Sequence, residues 1–140
     1  MDVIPSSSSS SPFGPENTPF EAIGGLEAVR LLTARFYHHM ANDPACAATR
    51  ALYPADLAES EEKLFEFLVG WLGGPQTYIQ KHGHPRLRLR HAPFRIDETA
   101  RDHWLMCMSR AMDERGIEGD LRDFLDARFT HVANFLRNVD

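Results

Sequence analysis

Cysteine is scarce in this chain: two in 140 residues, Cys46 and Cys107, far apart and in no CxxC pair. A disulfide framework is therefore not expected, and a reducing cytoplasm is the default compartment. No apolar run reaches the ~18 residues that a membrane span needs, so no membrane association is expected. The first residues lack the basic flank and apolar core of a secretion signal. Positive charge is also in deficit, with 15 Lys and Arg against 20 Asp and Glu, a net charge of −5. A general nucleic-acid binder usually carries a basic domain, so that class is disfavoured. Alternating apolar segments with hairpin turns are missing, and so is any internal repeat. What is left is enough chain for one domain with a real core.

The segments that are present read as helices. "MDVIPSSSSSSPFGPEN" is low-complexity Ser, Pro and Gly, and it cannot bury enough surface to offset its ordering entropy. Residues 1–17 are expected to be a disordered tail and residues 18–140 the folded domain. Thr18 and Glu21 have capping-box spacing with Pro19 at the first helical position, and Gly24 and Gly25 end that short helix. "LEAVRLLTARFYHHMAND" carries Leu26, Val29, Leu32, Ala34, Phe36, Tyr37 and Met40 on a broad apolar face. "YPADLAESEEKLFEFLVGWLGGP" predicts a second long helix, striped by Leu57, Leu64, Leu68 and Trp71 and widened by Phe67. Gly73, Gly74 and Pro75 stop it. Asp97 is the expected N-cap of a third helix, with Ala100, Trp104, Cys107, Met108 and Ala111 on one face. A fourth begins near Asp120, striped by Leu121, Phe124, Leu125, Val132, Phe135, Leu136 and Val139. The fold class is all-α: four long helices, with one short irregular basic segment between the second and third.

That segment, "KHGHPRLRLRHAPF" (Lys81–Phe94), packs three histidines, three arginines and a lysine into an acidic protein. Its alternation suggests a strand, but a strand in an all-α chain has no partner. On a helix, Leu87 and His91 share a face, and Arg90 lies about 100° round the axis. A lone histidine is most often a satisfied core or surface residue. The functional reading of His91 is an axial metal ligand, since neutral imidazole is a common ligand of haem iron. His82 and His84 lack the Asp, Glu or Cys partners of a zinc site. Exposed arginines are usually solvated surface, yet a guanidinium beside a ligand histidine also suits haem propionates.

The sequence resembles the truncated haemoglobins of the second group. "AIGG" (Ala22–Gly25), "RFY" (Arg35–Tyr37), "YPADL" (Tyr53–Leu57), "GGPQTY" (Gly73–Tyr78), "HGHPRLRLRHAPF" (His82–Phe94) and "RDHWL" (Arg101–Leu105) occur in that family's order and spacing. The most specific feature is the arginine-rich run ending in His, then Pro-Phe, then a Trp about ten residues on. The resemblance implies a shortened globin in which two helix pairs cross and sandwich haem b. It implies His91 as the proximal ligand and Tyr37 and Trp104 as distal hydrogen-bond donors. Tyr53 falls on a third distal position, Ser60 on the gate, and Leu64 one turn later over the iron. Lys63, Tyr78, His84 and Arg90 fall near the propionate edge, with Phe67, Leu87 and Phe94 as walls of the cofactor site.

Those residue types suit the chemistry. Phenol O–H and indole N–H donors stabilise negative charge on a diatomic ligand in a dry pocket, each contributing ~1–3 kcal/mol when one partner is charged. Such a pocket retains or chemically uses O2 or NO rather than delivering O2 in bulk; CO would also bind. The resemblance implies NO detoxification or a weak peroxidase-like activity as enzymatic readings, with a reductase as a candidate partner. A monomer and a homodimer are both compatible with the sequence. Each distal residue also has a plain structural reading: Tyr37 and Trp104 as core, Tyr53 as a loop anchor, Ser60 as a surface position. Two other function classes stay open. One is a gas or redox sensor acting through a partner; the other is a haem-free helical module binding phosphate or RNA through Arg86, Arg88 and Arg90.

Overall fold

A computed structural model of the chain describes residues 13, 14 and 16–139. The expected tail lies mostly outside the described residues; at its end, the Phe13 ring packs edge-on against Phe124 at 5.0 Å. The helices in chain order are α1 (Pro19–Ile23), α2 (Gly25–Asn42), α3 (Ala47–Arg50), α4 (Ala58–Trp71), α5 (Thr77–His82), α6 (Leu87–His91), α7 (Glu98–Glu114) and α8 (Gly119–Leu136), with a 3-10 turn, Pro44–Cys46, between α2 and α3. No strand occurs among the described residues, and none of these helices is long and apolar enough to cross a membrane.

Local chemistry sets the ends. Thr18 Oγ1 accepts from the Glu21 amide at 3.2 Å and caps α1, and Asp97 Oδ1 accepts from the Ala100 amide at 2.8 Å and caps α7; each satisfies a donor that a helix start leaves free. The paired glycines after α4 are required by closeness as well as by turning. Gly73 has φ +105°, and a Cβ there would sit 2.9 Å from Thr18 Cβ; one on Gly74 would sit 2.8 Å from the Phe20 ring. The end of α4 thereby rests directly on α1, and the Phe20 amide donates to the Leu72 carbonyl at 2.9 Å.

α2 is the central element. It packs along α7 and against α4, and α7 in turn packs on α8. The core where they meet holds Leu32, Phe36, Leu68, Met108, Leu125 and Phe129, each at most 2% exposed. Each buried side chain of this size contributes ~1.5–3 kcal/mol of transfer free energy. Across the α2–α7 seam, Arg35 Nε and His39 Nε2 both reach Glu114 Oε1 at 2.9 Å. The Arg35 hydrogen bond, then that of His39, holds the Glu114 carboxyl down to about 2.

Several sequence expectations need correction. Leu26 is 52% exposed, because it borders an open groove beside α2 and α4 instead of the core. Phe135 is 45% exposed, since it serves as a platform for Arg88, whose guanidinium lies 4.9 Å from the ring centroid. Phe129, omitted from the expected stripe, takes the buried place four residues after Leu125. The second long helix starts only at Ala58. Pro54 interrupts the preceding chain, and Asp56 Oδ1 turns it by accepting from the Ala58 amide at 2.9 Å. The two cysteines, distant in sequence, meet in space: their sulfurs are 3.6 Å apart, both thiols free.

Candidate functional site

α6 is only five residues long, too short to be stable alone, and it is held from both ends. Before it, Gly83 turns the chain and Arg86 adopts φ 47°, the one non-glycine residue with positive φ among those described. The Arg86 amide donates to His84 Nδ1 at 3.1 Å. After it, Asn138 acts as a clamp. Its Nδ2 donates to the carbonyls of His91 and Phe94 at 3.3 and 2.8 Å, and its Oδ1 accepts from the Ile96 amide at 2.9 Å.

Within α6, His91 Nδ1 lies 2.7 Å from the Leu87 carbonyl. A carbonyl only accepts, so Nδ1 carries the proton and the neutral ring has its lone pair on Nε2. Nothing among the described residues hydrogen-bonds to Nε2. Orientation of a histidine by a carbonyl on its other nitrogen is the usual outer-shell support of a metal ligand. Leu87 thus contributes through its backbone as well as its side chain.

The distal candidates form a connected aromatic group. Tyr37 is 6% exposed. Its ring meets Tyr53 edge-on at 5.8 Å and Phe36 at 4.9 Å, and Phe36 lies 5.3 Å from Trp104. Phe129 supports Trp104 from behind at 5.7 Å. Tyr37 Oη donates to the Ser60 carbonyl across a long 3.4 Å, a partner that the sequence did not suggest. No described group pairs with Trp104 Nε1 or Tyr53 Oη. Burial pushes both the Tyr37 and Tyr53 hydroxyls well above the usual tyrosine range, with the Tyr53 hydroxyl adding to the effect on Tyr37; both stay protonated donors. Arg50 sets the loop that presents Tyr53, donating to the carbonyls of Tyr53, Pro54 and Ala55 at 3.5, 2.9 and 2.8 Å.

The remaining candidates are spread along one side of α4, α5 and α6. Leu64 and Phe67 are half-buried against the core, and Phe67 meets buried Tyr78 edge-on at 6.1 Å. Tyr78 leads to His82 at 4.8 Å. His82 and Lys81 both pair with Glu66, a buried carboxylate that anchors α5 to α4. Lys63 pairs with Glu59 at 3.3 Å. Arg90 and Phe94 are exposed. Asn138, Arg50 and Glu66 were missed from the sequence; a lone Asn or Arg near an element's end carries no pattern that separates it from solvated surface, whereas Glu66, inside the apolar run Leu64–Val69, did carry a signal of a buried carboxylate. A groove of about 610 Å³ lies elsewhere, lined by residues such as Leu26, Arg30, Glu62 and Phe65, and contains none of the candidate residues.

His91, with nothing among the described residues on its Nε2, and the Tyr53 hydroxyl and Trp104 indole N–H, with no hydrogen-bond partner among them, are the groups this helical fold leaves available. The model of the bacterial-like globin family matches residues 18–138, and the chain belongs to that family. The group 2 truncated haemoglobin YjbI of Bacillus subtilis is 43% identical over 122 residues, 87% of this chain and 89% of that protein. The group II 2-on-2 haemoglobin of Agrobacterium tumefaciens superposes with TM-score 0.85 at 45% identity, covering 94% of this chain and 99% of that one. The truncated oxygen-avid haemoglobin of Bacillus subtilis superposes with TM-score 0.80 at 43% identity, covering 87% and 100%. The fold is the truncated two-over-two globin, and membership of the family makes the chain a haem protein that binds small gaseous ligands.

Proposed function

We propose that this chain holds haem b through His91 Nε2 and retains or chemically uses a diatomic ligand beside Tyr37, Tyr53 and Trp104. The observation that carries the reading is a pair of features: His91 oriented by Leu87 with its outer nitrogen free, and a buried Tyr37 with a long hydrogen bond beside partly buried Tyr53 and Trp104. When bound, the haem supplies a ferrous iron that takes up O2, NO or CO reversibly. The chain's own residues do the rest. His91 would give its Nε2 to the iron, and Asn138 keeps its helix in place. Tyr37 and Trp104 would supply hydrogen-bond donors to a bound ligand, with Tyr53 next to Tyr37. Ser60, small and at the start of α4, leaves the approach open, and Leu64 and Phe67 keep water out. Arg90, exposed on the helix of His91, would supply a cation for the propionates, with Tyr78 and His84 as further candidates; Lys63 would join only by leaving Glu59. The Bacillus subtilis relative is oxygen-avid, which supports retention over delivery.

Absorption spectra of the purified protein, ferric, ferrous and CO-bound, test this. A Soret band near ~400–430 nm is expected, as haem proteins show. His91→Gly should lose haem, or keep it only with added imidazole. Unchanged haem content and ferrous spectrum in that variant would remove His91 from the role.

A further inference from the structure

Cys46 and Cys107 play no part in the pocket chemistry, yet their placement is specific. Cys46 ends the 3-10 turn after α2, and Cys107 lies on α7 one turn beyond Trp104. Both are fully buried, and their sulfurs touch at 3.6 Å across 61 residues of chain. Among the described residues these are the two free thiols, and they share one core cluster with Tyr37, against which Tyr53 and Trp104 pack.

We infer that Cys46 and Cys107 form an internal redox-modification site, closed to a disulfide by hydrogen peroxide, that ties the turn following the Tyr37 helix to the helix carrying Trp104. Peroxide is small and uncharged, and reaches the fully buried sulfurs through local opening of the fold. One cysteine sulfur attacks a peroxide oxygen and the O–O bond breaks. The displaced hydroxide takes the thiol proton and leaves as water, and the sulfur becomes a sulfenic acid. The second sulfur then attacks the first, the S–O bond breaks, a second water leaves and the S–S bond forms. Two thiols are oxidised by one electron each and one peroxide is reduced to two waters. A side-chain rotation of under ~2 Å at the sulfurs spans the gap to bonding distance. Burial and the neighbouring Cys46 push the Cys107 thiol up to about 12, which makes the first step slow and the finished bond hard for soluble thiols to reverse.

The loop so closed contains α4, α5 and α6, and therefore His91 and the gate at Ser60. A cross-link over a loop of this length constrains the unfolded chain strongly, and the melting temperature should rise by ~5 °C or more. The experiment treats the full-length CO-bound protein with hydrogen peroxide, then measures intact mass under denaturing, non-reducing conditions and thermal unfolding. Loss of 2 Da from the monomer, disappearance of both titratable thiols and a higher melting temperature are expected, all reversed by a strong reductant. Cys46→Ser and Cys107→Ser should each prevent the 2 Da loss. An unchanged mass, a mass raised by separately oxidised cysteines, a cross-linked dimer, or a disulfide that leaves the melting temperature unchanged would overturn the inference. Run in parallel on the protein without added CO, the mass readout needs no bound ligand, and haem content is read separately by absorption, so failure of the inference is separable from failure of the haem assignment.

Discussion

At the scale of single residues, the pocket depends on which atoms carry protons. His91 is fixed in one tautomer by a carbonyl, and Tyr37 and Tyr53 are fixed as neutral phenols by burial. The second point is directly measurable. The chain has three tyrosines, and an unperturbed phenol ionises near ~10. In a spectrophotometric titration of the folded protein, Tyr37 and Tyr53 should stay un-ionised past pH ~11 and appear only as the protein unfolds. Phe replacement at each position identifies its contribution. Three tyrosines all ionising near the ordinary value would mean that the pocket is wet and its donors are not held in reserve. His91, Tyr37, Tyr53 and Trp104 were singled out through the resemblance to a family; their residue types alone read as well as core, loop anchor or surface. Their partners were not: the 3.4 Å contact from Tyr37 to the Ser60 carbonyl involves a backbone atom that no side-chain pattern announces.

At the scale of elements, α6 illustrates why local pattern runs out. Five residues cannot nucleate a stable helix, so what keeps α6 formed lies elsewhere in the chain. It lies 47 residues away, where Asn138 gathers the carbonyls of His91 and Phe94 and the amide of Ile96. Replacing Asn138 by Ala should cost ~1–2 kcal/mol in urea unfolding, the net worth of two or so hydrogen bonds. It should also speed transfer of haem to a scavenger protein ~10-fold, equivalent to ~1.4 kcal/mol. A variant that loses stability but not haem would show that the clamp serves the fold alone. The long helices were readable because each buries one face at period 3.6 and carries its own caps. The turn into α4 was not, because Pro54 and Asp56 end the loop later than the apolar stripe suggests. Phe135 was misplaced for a related reason: period alone cannot tell a ring facing the core from one facing an arginine.

At the scale of the whole molecule, α2 and α7 matter most. Their seam carries Tyr37 and Trp104, is tied at one end by Glu114 to Arg35 and His39, and is crossed by the Cys46–Cys107 contact. Two donors from two helices can converge on one small ligand only if that seam is rigid. The all-α class, the order of helices and the family resemblance were visible in the sequence, whereas contacts between residues distant in the chain, such as the two sulfurs, were not. The central claim is that this convergence retains O2. Stopped-flow measurement of O2 and CO release from wild type and from the Tyr37→Phe, Trp104→Phe double variant tests it most directly. O2 release should be at least ~100-fold faster in the variant, since two lost donors worth ~2.8 kcal/mol correspond to two decades. CO, which carries little charge, should leave at a nearly unchanged rate. Unchanged O2 release, or CO release accelerated as much as O2, would show that the two rings are wall and not donors.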